Sequence, residues 1–395
     1  MKKYILKIVL CVVMFINLYT VIPSFGQSVF AEENTTISTN DEVNSKLNGL
    51  YDYINTMKSD VELMNELDPV SYIESYIENG EGNISVSKVL SAVISLFFRE
   101  IKSVLALSFS IIVIGIICSL FKNIQSAFSS EGISQVAFYA CYALLIIILS
   151  KTFIISLDLA KDVIVEITNF MSKLLPVLVV MLAAAGGLTQ AATIDPIVLG
   201  ATIIVPKIYT DIIIPLILMT FVVKFTNNIS SEPKLSNLSA MMEKSVTWIQ
   251  GLVLTIFIGL LTIRGITSST IDAVTLKTSK LAIESFVPIV GKSLSDSIAS
   301  VAGYSLIIKN AIGSIGLIAV ILIIIYPIIK IVLSSMIFKL SASLLEPITD
   351  KRITSSIAAA GKSLVLIMSC VISVSLMFFI LIAMMISAGK FVIGG

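Results

Sequence analysis

Lys207 and Asp211 stand four residues apart in a stretch, Pro196 to Val223, that is otherwise free of charge. On a helix that spacing puts both on one face, where each could neutralise the other. Charges at membrane depth are costly and tend to mark a pathway for ions, protons or polar solutes. Pro206 and Pro215 lie beside the pair, and each removes a backbone donor, frees a carbonyl and favours a kink or break. Asp195 immediately precedes the stretch, and Pro176, Pro288 and Pro327 mark comparable interruptions in neighbouring apolar segments. Polar groups beside broken helices are suited to binding and passage. The alternative puts residues 196 to 211 in an interfacial hairpin with both charges in water, because only 12 residues separate Asp211 from Lys224.

Other chemistry is missing from the sequence. There is no histidine, which excludes His-based triads, His general bases and zinc sites with histidine ligands. Cys11, Cys118, Cys141 and Cys370 each sit in an apolar run and form no CxxC pair, so neither a disulfide framework nor a metal knuckle is expected. Gly291-Lys292-Ser293 and Gly361-Lys362-Ser363 end like a phosphate-binding loop, but Phe286 and Ser356 stand where its first glycine belongs. Basic residues are dispersed and the single Trp248 opens an apolar run, which gives no nucleic-acid platform. The reading is a protein that is not an enzyme and uses no metal or cofactor.

The elements that must position the polar residues are membrane helices. Of 395 residues, 56% are hydrophobic and 13% charged, and the mean hydropathy is +0.99, too apolar for the surface of a soluble domain. Uncharged runs at 103–121, 132–150, 174–194, 245–263, 310–329 and 363–389 compare with the roughly 20 residues that cross a bilayer. With 196–223 as a less clean seventh, the fold class is all-α: a polytopic helical membrane protein with about seven transmembrane helices. Mixed segments lie between the runs. Val163, Ile167, Phe170 and Leu174 form a stripe opposite Asp162, Glu166 and Lys173, and 226–247, 266–285 and 338–361 are similar. These read as amphipathic helices at the interface or over the bundle.

The N-terminus has the order of a secretory signal: Lys2, Lys3 and Lys7, an apolar stretch from Ile8 to Tyr19, then Val29-Phe30-Ala31. Residues 1–31 are expected to be removed by cleavage between Ala31 and Glu32; the alternative is an uncleaved anchor. Both readings export residues 32–98, an acidic segment in which Leu47, Leu50, Ile54, Met57, Val61 and Met64 form one helical stripe. That stripe suits either a partner or internal packing. The polytopic domain is then 99–395. Seven spans would leave 264–309 inside and 334–362 outside, and the basic residues of the latter go against the positive-inside rule.

Leu175-Pro176-Val177 is echoed by Val287-Pro288-Ile289, Glu232-Pro233 by Glu346-Pro347, and Lys244-Ser245 by Lys362-Ser363. The offsets suggest an internal duplication, 135–248 and 249–362, of a kind from which many transporters are built.

The whole layout resembles the stage III sporulation protein AE family of endospore-forming bacteria. The resemblance is carried by Phe286-Val287-Pro288-Ile289-Val290-Gly291, by Ser295-Asp296, and by the run from Leu306 through Lys309, Asn310 and Gly313. Leu175-Pro176, Ala183 to Gly187 and the stretch from Lys339 to Arg352 support it. It implies a multi-pass protein in the mother-cell membrane around the forespore. There it would work with the other stage III sporulation proteins, AA to AH, and the forespore's stage II sporulation protein Q. It would form part of a channel or secretion-like complex needed after engulfment. Within that reading two roles stay open, a conduit subunit and a non-conducting assembly platform; a small-molecule transporter or permease is a further alternative, and a homo-oligomer an additional one.

Overall fold

A chain this apolar can bury its backbone in lipid only if every peptide group is paired within its own segment, which makes helices the available solution. A computed structural model describes residues 39–60, 68–79, 82, 86–127, 131–229, 235–286 and 291–388. Among them there is no strand. The helices are α1 (Thr39–Asp60), α2 (Pro69–Asn79), α3 (Val86–Ala127), α4 (Glu131–Ala184), α5 (Leu188–Ile208), α6 (Ile214–Ile229), α7 (Ser236–Phe286), α8 (Gly291–Leu345) and α9 (Lys351–Ser387). Tyr209–Ile213 joins α5 to α6 as one wide π turn. Val43 to Gly395 forms one unit.

Among the described residues six helices are long and apolar enough to cross a membrane, with candidate spans at Ser87–Phe121, Tyr139–Ala184, Thr202–Asn228, Ser236–Ile263, Ser300–Leu345 and Lys351–Ser387. The sequence reading has about seven. The difference lies in α4, which takes in both the 132–150 run and the start of the 174–194 run. It is 54 residues long, about 80 Å at roughly 1.5 Å per residue, and Pro176 is accommodated inside it. The mixed segments expected as separate interfacial helices are largely continuations of spanning ones. Val163 to Leu174 lies within α4, and 266–285 within α7. In α4, Val163, Ile167, Phe170 and Leu174 are buried, so a packed face carries the helix through the charged stretch.

Helix α9 is the axis of the bundle. It packs on α8, α4, α6 and α7, while α8, α4, the α5–α6 pair and α7 touch in turn around it and α7 closes back on α8. Its interior residues run from Ile353 to Met385, including Ile357, Ile367, Val374, Phe378 and Ile382. Small residues set the close approaches. Gly361 lies against the Ser335 carbonyl of α8, where a Cβ would sit 3.2 Å from the oxygen, and Ser335 Oγ donates back to the Gly361 carbonyl at 2.8 Å. Gly316 of α8 lies under Leu174 of α4, and Gly313 under Ile386 of α9. Helix α3 lies along α4 and α8, held by a bond between the Ser108 and Ser341 hydroxyls and by Ser119 Oγ donating to the Ile348 carbonyl.

The turns follow from their residues. The Ala183 to Gly187 stretch ends α4: the Gly187 amide donates to Leu182 and the Gly186 amide to Ala183, with Gly186 at φ 91°, the left-handed geometry glycine permits. Asp350 caps α9, accepting from the Arg352 amide at 2.8 Å. In the segment expected to be exported, Leu50, Ile54 and Met57 of α1 are buried, so the described part of that stripe packs within the chain. Helix α2 lies against α8, with Tyr72 beside Ser314. Gly82 passes under the Tyr72 ring so closely that a Cβ would overlap it. The expected cleavage site, Ala31 and Glu32, lies outside the described residues, as do Val287 and Pro288.

Candidate functional site in a polar seam of the membrane bundle

The apolar runs of α6, α7 and α9 each carry a few polar residues, and the fold brings several of these together. Gln250, the single amide of the 245–263 run, is buried. Its Nε2 donates to Cys370 Sγ at 3.0 Å and its Oε1 accepts from Ser369 Oγ at 2.9 Å, which ties α7 to α9. Ser369 Oγ also reaches the Leu366 carbonyl at 2.7 Å, so this hydroxyl keeps a partner inside its own helix. Near this cluster, Tyr209 of the π turn is fully buried and turns its hydroxyl toward Ser373 without closing a well-formed hydrogen bond.

The π turn has a local cause. Pro215 has no N–H to offer Asp211, four residues before it, and the backbone widens just ahead of it: the Ile214 amide donates five residues back, to Tyr209. Single π turns inside α-helices recur at functional sites. Pro206 is buried at the other side of the turn.

Towards the α8–α9 turn the same helices, α6, α7 and α9, line a separate cleft of about 330 Å³ with Lys224, Asn227, Asn228, Ser239, Glu243 and Lys362, among others. Lys224 Nζ lies 2.6 Å from Glu243 Oε2, and no separate hydrogen bond satisfies it. The ion pair joins α6 to α7 where both leave the apolar zone. A buried ammonium with a carboxylate partner, an exposed second lysine and two amides could receive a polar or anionic group.

The residues expected from sequence fall in several places. Lys207 and Asp211 are both exposed on the outside of the α5–α6 pair. No ion pair joins them: Asp211 Oδ1 accepts instead from Thr210 Oγ1 at 2.9 Å. Pro215 is exposed, and Pro327 is buried inside α8. Asp195 belongs to α5, and Ser295 and Asp296 to α8; their side chains lie outside the described part. Phe286 ends α7 and Gly291 begins α8.

Lys309 and its neighbours have a clear structural task. Lys309 is 0% exposed, and its ammonium donates to the carbonyl of Ile386 at 3.2 Å and to that of Ala388. These groups close α9, where the helix dipole favours a cation. Asn310 Oδ1 is buried beside it without a hydrogen-bond partner. Sequence reasoning did not single out Gln250, Ser369, Lys224 or Glu243. Their signal was the lone amide in an apolar run and a lysine closing another, and neither says which helices meet.

The profile of the family described as Stage III sporulation protein AE matches residues 67–389, nearly all of the described chain. The chain belongs to that family. A relative named Stage III sporulation protein AE, from Bacillus subtilis (strain 168), is 28% identical over 312 residues, which covers 79% of this chain and 78% of the relative. No solved structure matches the chain. The family match takes in α2 through α9, and so both the seam and the Lys309 contact belong to the shared part of the chain.

Proposed function

We propose that the protein is a membrane component of the channel or secretion-like complex that links mother cell and forespore after engulfment. The observation that carries this is the family match across the whole helical bundle. Its partners on this reading are the other stage III sporulation proteins, AA to AH, and stage II sporulation protein Q on the forespore side. It sits multi-pass in the mother-cell membrane around the forespore, delivered there by the signal at residues 1–31, and its role is passage or assembly with no catalytic step.

The polar seam supports passage more than enzymology, because its groups lie between helices that also line a polar cleft. A non-conducting platform is the second reading, favoured by α9, whose side chains fill the centre of the protomer. Gln250→Leu in the sporulating host separates the two. A conduit in the seam loses delivery of a small labelled solute to the engulfed forespore while its partners still co-purify. Normal delivery with normal assembly sinks that conduit; loss of delivery together with assembly supports the platform.

A further inference from the structure

The outer face of α4 does not match the depth at which it lies. Tyr142 bonds to Ser356 of α9 at 2.6 Å, and further along Leu174 packs on Gly316 of α8, close to the Gly313 that meets Ile386 of α9. Between those points α4 runs beside residues 363–387 of α9, which contain no charged side chain. Over that depth α4 exposes Lys151, Ile155, Asp158, Asp162, Val165, Asn169 and Ser172. Their spacing of four, three, four, three, four and three is that of a helix seam. Lys161 and Glu166 are half-buried at its edge, and Lys173 is exposed at its end. The neighbouring helices of the ring, α5 and α6, present Lys207 and the π turn's Asp211 outward at similar depth.

At the same depth, on α7, the surface is Leu252, Ile256, Leu260 and Ile263, all exposed. One side of the bundle is thus ready for acyl chains and another is not, because charged groups facing hydrocarbon are strongly disfavoured. The charges of the α4 face complement one another: Lys151, Lys161 and Lys173 balance Asp158, Asp162 and Glu166. In two copies side by side with the same orientation, Lys161 of one stands level with Asp158 and Asp162 of the other.

We propose that a second copy of this chain covers the α4 face, so that Lys151 to Lys173 of neighbouring protomers meet inside the membrane. The inference deepens the conduit reading, and rests on it only for the use made of the enclosed polar surface. Its test uses the full-length chain in native membranes with Cys11, Cys118, Cys141 and Cys370 replaced by Ala. Val165→Cys and Asn169→Cys should each give a covalent dimer with a short bis-maleimide, and Ile256→Cys should not. Lys161→Glu should lower the dimer yield about tenfold, and adding Asp162→Lys should restore it. The unaltered chain, extracted in mild detergent, should have a particle mass of at least two chains by native mass spectrometry. A single-chain mass with no cross-link at 165 or 169 overturns the proposal, as does equal cross-linking at 256. The two readings fail separately: dimers without solute delivery remove the conduit and leave the interface, whereas delivery by a chain that is monomeric in both measurements removes the interface.

Discussion

Lys309 shows how a single charged residue can be stable inside an apolar bundle. A lysine in hydrocarbon is costly, yet this one ends at the carbonyls of Ile386 and Ala388, groups that the end of α9 would otherwise leave without donors. Replacing it by Met keeps much of the volume and removes both bonds. Loss of the buried charge offsets part of the cost, but two carbonyls remain unserved, and a charge-assisted bond contributes about 1.5–3 kcal/mol. Lys309→Met should therefore lower the thermal midpoint of the detergent-solubilised protein, read by loss of its monodisperse elution peak. An unchanged midpoint would mean that the contact contributes nothing. Gln250→Leu is expected to behave differently, because Ser369 retains its bond to Leu366 and the site stays filled: stability should change by about 1 kcal/mol or less. A large fall in midpoint would make Gln250 a structural residue and weaken the seam as a functional site.

At the level of elements, the apolar runs were legible because lipid imposes a length and forbids unpaired backbone. All six uncharged runs and the proline-interrupted one contribute to spanning helices, two of the runs to the single helix α4. The continuity of α4 was not legible. Its charged stretch from Lys151 to Lys173 looks like a break in the sequence, but the opposite face, with Phe153, Ile164, Ile167 and Met171, is buried throughout. Periodicity shows that such a face exists and says nothing about its neighbours. Lys207 and Asp211 share the limitation: spacing placed them on one helix face, and the π turn between α5 and α6 intervenes. The docking of α2 on α8 has a pH dependence that follows from its tyrosines. Burial, with Tyr76 adding to it, pushes the Tyr72 hydroxyl above its ordinary value, and the bond with Ser314 opposes this in part. Burial and the nearby Glu74 carboxylate push Tyr51 the same way. A raised value means that the neutral phenol is favoured in the fold, so this stability is fully present below the ordinary tyrosine value of 10.0 and lost as pH rises through the higher folded value. Tyrosinate absorbance should thus show a late-titrating component that Tyr72→Phe reduces. If the Tyr72→Phe curve matches that of the parent chain, α2 is not docked as described.

For the whole molecule, an even number of crossings returns the chain to the side on which it started. Tyr72 of α2 lies beside Ser314, Gly313 lies beside Ile386, and Lys309 reaches Ala388. The segment read as exported and the end of α9 therefore share one end of the bundle, as six spans require and seven would forbid. The opposite end holds the α8–α9 turn, with Lys339, Lys351, Arg352 and Lys362 close to it. If α2 is outside the cytoplasm, these four basic residues lie within, in agreement with the positive-inside rule that they contradict in a seven-span arrangement. The same arrangement moves the 264–309 segment outside, so charge alone leaves the count undecided, and the contacts among the described residues favour six. Alkaline phosphatase fused after Ala388 should be active in intact cells, and fused after Thr349 inactive; a fluorescent protein that matures only in the cytoplasm should give the reverse pattern. Phosphatase activity at Thr349 and none at Ala388 would restore the odd count. It would also separate α2 from the end of α9 and remove the common end on which the six-span arrangement depends.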